Sequence, residues 1–112
     1  MTIFEKIATR EIPARIVHET EDFLAFHDVQ PQAPAHILIV PKRPIPRVGE
    51  AQPGDADLLG RMLLAAPGIA AAAGVAETGY RLVINNGRDA GESVPHLHIH
   101  LLGGRSLQWP PG

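Results

Sequence analysis

Apolar and polar positions along this chain recur with two periods, and the switch between them marks the predicted elements. Near the start, Ile3, Phe4 and Ile7 fall at i, i+1 and i+4 behind Thr2. That spacing predicts a short helix over residues 3–8 with Thr2 as its cap, and Pro13 blocks any continuation. The period then drops to two. Residues 14–19 and 22–29 read as strands joined by a polar turn at Thr20-Glu21. In the second strand Phe23, Ala25 and His27 share one face, and Leu24, Phe26 and Asp28 share the other. Residues 35–41 form a continuous apolar run between prolines, the pattern of a strand covered on both sides. Pro44 and Pro46, two apart, make the next segment irregular.

The longer period returns over residues 55–73. Leu58, Leu59, Met62, Leu63, Ala66 and Ile69 form one stripe, Asp55 stands at the capping position, and Gly74 is a natural stop. Pro67 lies inside the stripe, where its ring opposes the carbonyl of Leu63, so a kink or two helical pieces are expected. Residues 80–86 read as a strand ending at the turn signal Asn86-Gly87, and residues 96–102 read as the last strand. One short helix, one long helix and five strands of antiparallel type make a single α+β domain over residues 1–112.

Composition narrows the functional classes. There is no cysteine, which removes disulfides, thiolate nucleophiles, cysteine-ligated zinc and iron–sulfur clusters and suits a reducing, cytoplasmic setting. A net charge of −2 lacks the basic face that nucleic-acid binding relies on. The N-terminus carries Glu5 and Lys6 where a signal peptide has its apolar run. The least charged stretch, residues 63–76, is broken by Pro67, Gly68 and Gly74 and falls short of the about 20 residues a membrane span needs.

The strongest chemical signal is the alternation His96, His98, His100. On a strand these rings project to one face while Leu97, Ile99 and Leu101 project to the core. Two chemistries fit. A neutral imidazole can act as a nucleophile while its neighbours handle phosphate charge. Alternatively, two of the rings with a third group can ligate zinc. The preceding loop, with Asn85, Asn86, Gly87, Gly91 and Ser93, offers neutral donors that suit an anionic oxygen, whereas Glu92 keeps the metal reading open. A nucleotide-binding scaffold with little turnover is the third reading.

Residues 93–105, Ser-Val-Pro-His-Leu-His-Ile-His-Leu-Leu-Gly-Gly-Arg, resemble the signature of the histidine triad family. Residues 2–4, 12–14, 25–28, 31–34 and 36–42 resemble the N-terminal half of its nucleotide-binding, phosphoramidase branch. Residues 80–81, 83–87 and the ending Trp109-Pro110-Pro111-Gly112 resemble the C-terminal half. The resemblance implies a homodimer whose antiparallel sheets join, a purine nucleoside monophosphate (AMP-type) pocket, and hydrolysis of phosphoramidates or aminoacyl-adenylates without cofactor or metal.

Carried onto this chain, the resemblance makes His98 the nucleophile, with the His96 carbonyl holding its Nδ1. His100 and His36 would polarise phosphate oxygens, and Ser93 and Asn85 would meet the phosphate or departing amine. Asp28 would bind the ribose, and Ile3, Phe4, Ile7, Phe26, His27 and Val29 would line the base pocket. Gly91 and Glu92 would border the phosphate, and the tail 105–112 with Trp109 would cross the dimer near the partner's pocket. Glu92 stands where the family often has glutamine, which adds an anion beside an anionic substrate.

Overall fold

A computed structural model describes all 112 residues. The chain runs α1 (Ile3–Ala8), β1 (Ile16–Glu19), β2 (Phe23–His27), β3 (Ala35–Pro41), α2 (Ala56–Ala72), β4 (Tyr80–Val83) and β5 (Ile99–Gly103), with short 3-10 turns in the connections. The five strands form one antiparallel sheet in the order β1-β2-β3-β5-β4. This is the expected α+β architecture. None of its helices is long and apolar enough to cross a membrane.

The two sheet faces are unequally covered. On one face α2 lays Leu58, Met62, Ala66, Ile69 and Ala70 over Phe23, Ala25, Ile37, Ile39, Ile99 and Leu101, within a cluster of 15 buried residues. On the other, α1 contributes only Phe4 and Ile7 to a cluster of six with Leu24, Phe26, Leu38 and Val40. The thinner side leaves the ends of β3 and β5 open, and the histidines lie there.

Several local expectations are corrected. The long helix is continuous through Pro67. Both Pro67 and Leu63 are on its exposed side, so water can satisfy the Leu63 carbonyl that Pro67 leaves without an N–H. The Asp55 side chain does not cap this helix. It accepts the Gln52 N–H at 2.8 Å and pairs with Arg43. The second strand is shorter than residues 22–29, and the fourth ends at Val83 rather than residue 86. The last strand begins at Ile99, not His96. Its ladder with β3 stops at the Ile39–Ile99 pair because Pro41 has no N–H to extend it, and the Leu97 N–H turns instead to the Ile45 carbonyl at 2.6 Å.

Gly103 and Gly104, which follow the histidines, have separate reasons. A Cβ on Gly103 would stand 2.9 Å from the Val75 Cβ, and Gly104 has φ +90° with Pro34 against it. The first is needed for close packing and the second for backbone conformation.

Candidate active site

The inward alternation of Leu97, Ile99 and Leu101 turns the three histidines to the α1 face. Phe4 of α1 wedges between them, with its ring 5.6 Å from that of His96 and 5.0 Å from that of His98, both edge-on. His36, diagonally across on β3, has its ring 5.1 Å from that of His100. Asp28, at the end of β2, places Oδ2 3.4 Å from His36 Nε2.

Fixed backbone partners assign every ring proton. The Pro41 carbonyl, 2.7 Å from His96 Nε2, can only accept, so Nε2 carries the proton. His96 Nδ1 then accepts from the Thr2 hydroxyl at 2.8 Å. The His96 carbonyl, 2.7 Å from His98 Nδ1, puts the His98 proton on Nδ1 and leaves Nε2 with a free lone pair. The Gln32 N–H donates to His36 Nδ1 at 3.0 Å, so the His36 proton lies on Nε2 and is donated to His100 Nδ1 at 2.9 Å. His100 must then carry its own proton on Nε2. That nitrogen is the one buried side-chain polar atom without a partner. Its ring centroid is 4.9 Å from that of His98.

Burial favours the neutral form of His36, His96 and His100. Burial pushes His100 down to about 4, reinforced by His98 and His36. Burial also lowers His36 against the pull of Asp28, and lowers His96 against its bond to the Pro41 carbonyl. The result is a lone pair on His98 Nε2 beside an N–H donor on His100, a nucleophile next to a hydrogen-bond donor for an oxyanion.

A metal fits this donor set poorly. Ligand-type atoms of Asp28, His36 and His100 lie within 4.8 Å of one another. A cation on His36 Nε2 would drive the ring proton to Nδ1, facing the Gln32 N–H donor. A zinc site on all three triad rings fails because both nitrogens of His96 are bonded within the protein. One on His98 and His100 would need a lone pair at His100 Nε2, where the bond from His36 puts the proton.

The remaining expected site residues are only partly brought together. Phe4, Ile7 and Phe26 are buried beneath the site, whereas Ile3 is half exposed and Val29 is 92% exposed. Asp28 and Val29 border a cleft of about 540 Å³ with Pro13, Arg15 and Pro31. His27 lines the same cleft, and it also borders the α2 face beside Ile37 and Ile69. Asn85 is half-buried and has no side-chain hydrogen bond, while Gly91 and Ser93 are exposed. Glu92 does not offer its carboxylate to the site. Both of its oxygens are taken by Arg47, at 2.8 and 3.0 Å, and one also accepts the Gly87 N–H at 2.9 Å. Trp109 is 80% exposed, under the Arg81 guanidinium and away from the triad.

Sequence reasoning missed the supporting groups. The Gln32 N–H and the Pro41 carbonyl are backbone atoms with no side-chain signature, and Thr2 was read only as a helix cap. Arg47 had a signal, since an acid beside a phosphate site calls for a nearby cation.

Comparison with known proteins agrees with this geometry. The HIT domain family matches residues 9–107, and the chain belongs to that family. An uncharacterized HIT-like protein of Synechocystis is 55% identical over 99% of this chain and 96% of its own length. A HIT family hydrolase from Legionella pneumophila superposes with a TM-score of 0.96 at 47% identity, covering 100% of both chains. A histidine triad nucleotide-binding protein from Candida albicans superposes at 0.84 with 32% identity, covering 98% of this chain and 83% of the other. The fold is that of HIT family hydrolases and nucleotide-binding proteins.

Proposed function

We propose that this protein hydrolyses purine nucleoside phosphoramidates and aminoacyl-adenylates through a nucleotidyl-histidine on His98. The observation that carries the reading is the pairing of a free Nε2 lone pair on His98 with the buried, unpartnered Nε2–H of half-buried His100. In the first step His98 Nε2 attacks the α-phosphorus. The P–N bond of a phosphoramidate breaks, or the P–O bond to the acyl group of an aminoacyl-adenylate, which leaves as a carboxylate. The departing nitrogen takes up a proton at the open mouth of the site, where Ser93 is exposed. Nδ1 holds its proton on the His96 carbonyl throughout, so the ring becomes a phosphorylated imidazolium. In the second step water attacks phosphorus and releases a proton to solvent, the P–Nε2 bond breaks, and nucleoside monophosphate leaves with His98 restored as neutral imidazole. The His100 N–H stabilises the phosphoryl oxygens in both steps, with the free Asn85 amide as a second donor.

Asp28 Oδ1 accepts the Gln30 N–H at 2.8 Å, which leaves Oδ2 for ribose hydroxyls at the edge of the cleft. The name of the Candida albicans relative supports a nucleotide as ligand. A homodimer acting in the cytoplasm belongs to the same reading. The unpaired edge of β4, together with exposed Leu63, Leu64 and Trp109, supplies a surface that a second copy can cover.

The test is to incubate an adenosine phosphoramidate with wild type and with His98→Ala, each with and without chelator. We expect cleavage by the wild type, a loss of roughly a thousandfold or more in the variant, and no effect of chelator. Mass spectrometry of quenched wild type should show the nucleotidyl adduct. Chelator-sensitive cleavage would sink the reading in favour of a metal centre, and tight nucleotide binding without turnover would reduce the protein to a scaffold.

A further inference from the structure

The loop between β4 and the triad carries Asn85, Gly91 and Ser93, yet little within it holds it in place. Its internal backbone bonds only turn it upon itself, from Ala90, Gly91 and Glu92 back to Gly87 and Arg88. Val94 at its end packs against the Phe4 cluster, but its hydrogen bonds to the rest of the protein run to one neighbouring segment, residues 47–49. There the Asn86 side-chain oxygen accepts the Gly49 N–H at 2.7 Å, in a space that any Cβ on Gly49 would fill. The Arg47 guanidinium forks onto both oxygens of Glu92 and also pairs with Glu50. Glu92 is only 12% exposed, so little water compensates its charge.

We propose that Arg47 is a positioning residue for the phosphate site, fixing the Ser93 loop through Glu92 and cancelling the Glu92 charge beside His98. The proposal rests on the functional reading above. Arg47 does not touch the reacting atoms and acts through its partner. Its fork suits both tasks, since a planar guanidinium bonded to two carboxylate oxygens fixes orientation as well as charge. Consistent with this, Arg47 and the Gly87 N–H hold Glu92 down at about 2, so the pair stays ionised across the working pH range. The charged and titratable groups near His98 are few. His96 and His100 flank it, Glu5 of α1 lies by His96, Asp28 and His36 face His100, and Glu92 reaches it from the loop. Phe4 of α1 contributes no charge. Glu92 is therefore the carboxylate whose effect on His98 depends on Arg47.

The experiment compares wild type with Arg47→Met, Arg47→Lys and the double variant Arg47→Met/Glu92→Gln. Without any ligand, amide exchange of residues 87–93 should quicken by about tenfold or more in Arg47→Met. Unchanged exchange there overturns the inference. AMP binding should weaken by about tenfold in Arg47→Met, while binding of uncharged adenosine holds, because an unpaired carboxylate repels phosphate. The acid limb of kcat/KM should move up by about one pH unit, because the same carboxylate favours the protonated imidazole. The double variant should regain AMP affinity and the original profile but not slow exchange. Arg47→Lys should keep the profile and lose protection, since it supplies charge without the fork. A purely structural Arg47 would leave the pH profile unmoved and the double variant as impaired as the single one, and that result overturns the proposal. Failure of wild type to bind AMP or adenosine would instead overturn the nucleotide reading, with amide exchange still deciding whether Arg47 holds the loop.

Discussion

A neutral imidazole has one donor and one acceptor, so a single partner of fixed polarity decides both nitrogens. Three such partners, the Gln32 N–H and the carbonyls of Pro41 and His96, thereby set the four rings of the site. The chain from Gln32 through His36 to His100 ends in an N–H aimed at the space beside His98, and that ending is what makes the geometry useful to an anion. Replacing His100 by Ala deletes the donor and should lower kcat by about 10²–10³. Replacing His36 by Ala should cost less, because His100 keeps its N–H in one of two tautomers rather than losing it. Steady-state rates on one phosphoramidate test the order, and a His36 variant slower than the His100 variant would contradict the chain. The alternation of three histidines was plain in the sequence, and so was the side they would share. Their tautomers were not, because carbonyls and amides carry no residue identity until the fold brings them within reach.

Elements were legible where one face was plainly apolar and lost at their ends. Residues 35–41 were read correctly as a strand covered on both sides because every position there is buried. The ends of the neighbouring strands were misread because ladder length depends on the partner, and Pro41 closes the partner before His96 can pair. The helix stripe was right at Leu58, Met62, Ala66 and Ile69 and wrong at Leu63, which is 43% exposed. Pro67 illustrates how position decides cost. A proline inside a helix is unfavourable by about 3 kcal/mol relative to alanine, through a lost bond and a clash. Against that, proline stabilises by about 0.4–1 kcal/mol by restricting the unfolded chain. The lost bond is the larger effect even where water reaches the freed carbonyl. Pro67→Ala should therefore raise stability by about 2 kcal/mol, read as a higher midpoint in urea at unchanged slope. A lower midpoint would mean that the proline shapes a contact this exposed face makes.

At the scale of the whole molecule, the same burial that keeps the histidines neutral ties stability to pH. His27, His36, His96 and His100 are all held below their ordinary value of 6.5, each chiefly by burial. The unfolded chain therefore binds protons that the folded one refuses. The stability this confers is fully present above about pH 6.5 and is lost as pH falls toward the folded value, about 4 for His100. Each group adds at most about 1.4 kcal/mol per pH unit inside its window, and less for the more exposed His27, where solvent screens the charge. The carboxylates act lower. Glu5, Glu19, Asp55 and Glu92 are depressed by their donors, so their contribution persists above the ordinary carboxylate range and is lost as pH drops through it, down to about 2 for Glu92. Acid unfolding should thus proceed in two windows, with the histidines first. Thermal midpoints should be flat above pH 7, fall between about 6.5 and 4, and steepen further below 4.5 as the carboxylates join. Bound AMP should make the upper window shallower, because a phosphate anion beside His100 favours the protonated ring and narrows the gap between its folded and unfolded values. Midpoints that stay level down to pH 4.5 would mean that the buried rings accept protons in place, and the neutral tautomers assigned to the site would fall with that result.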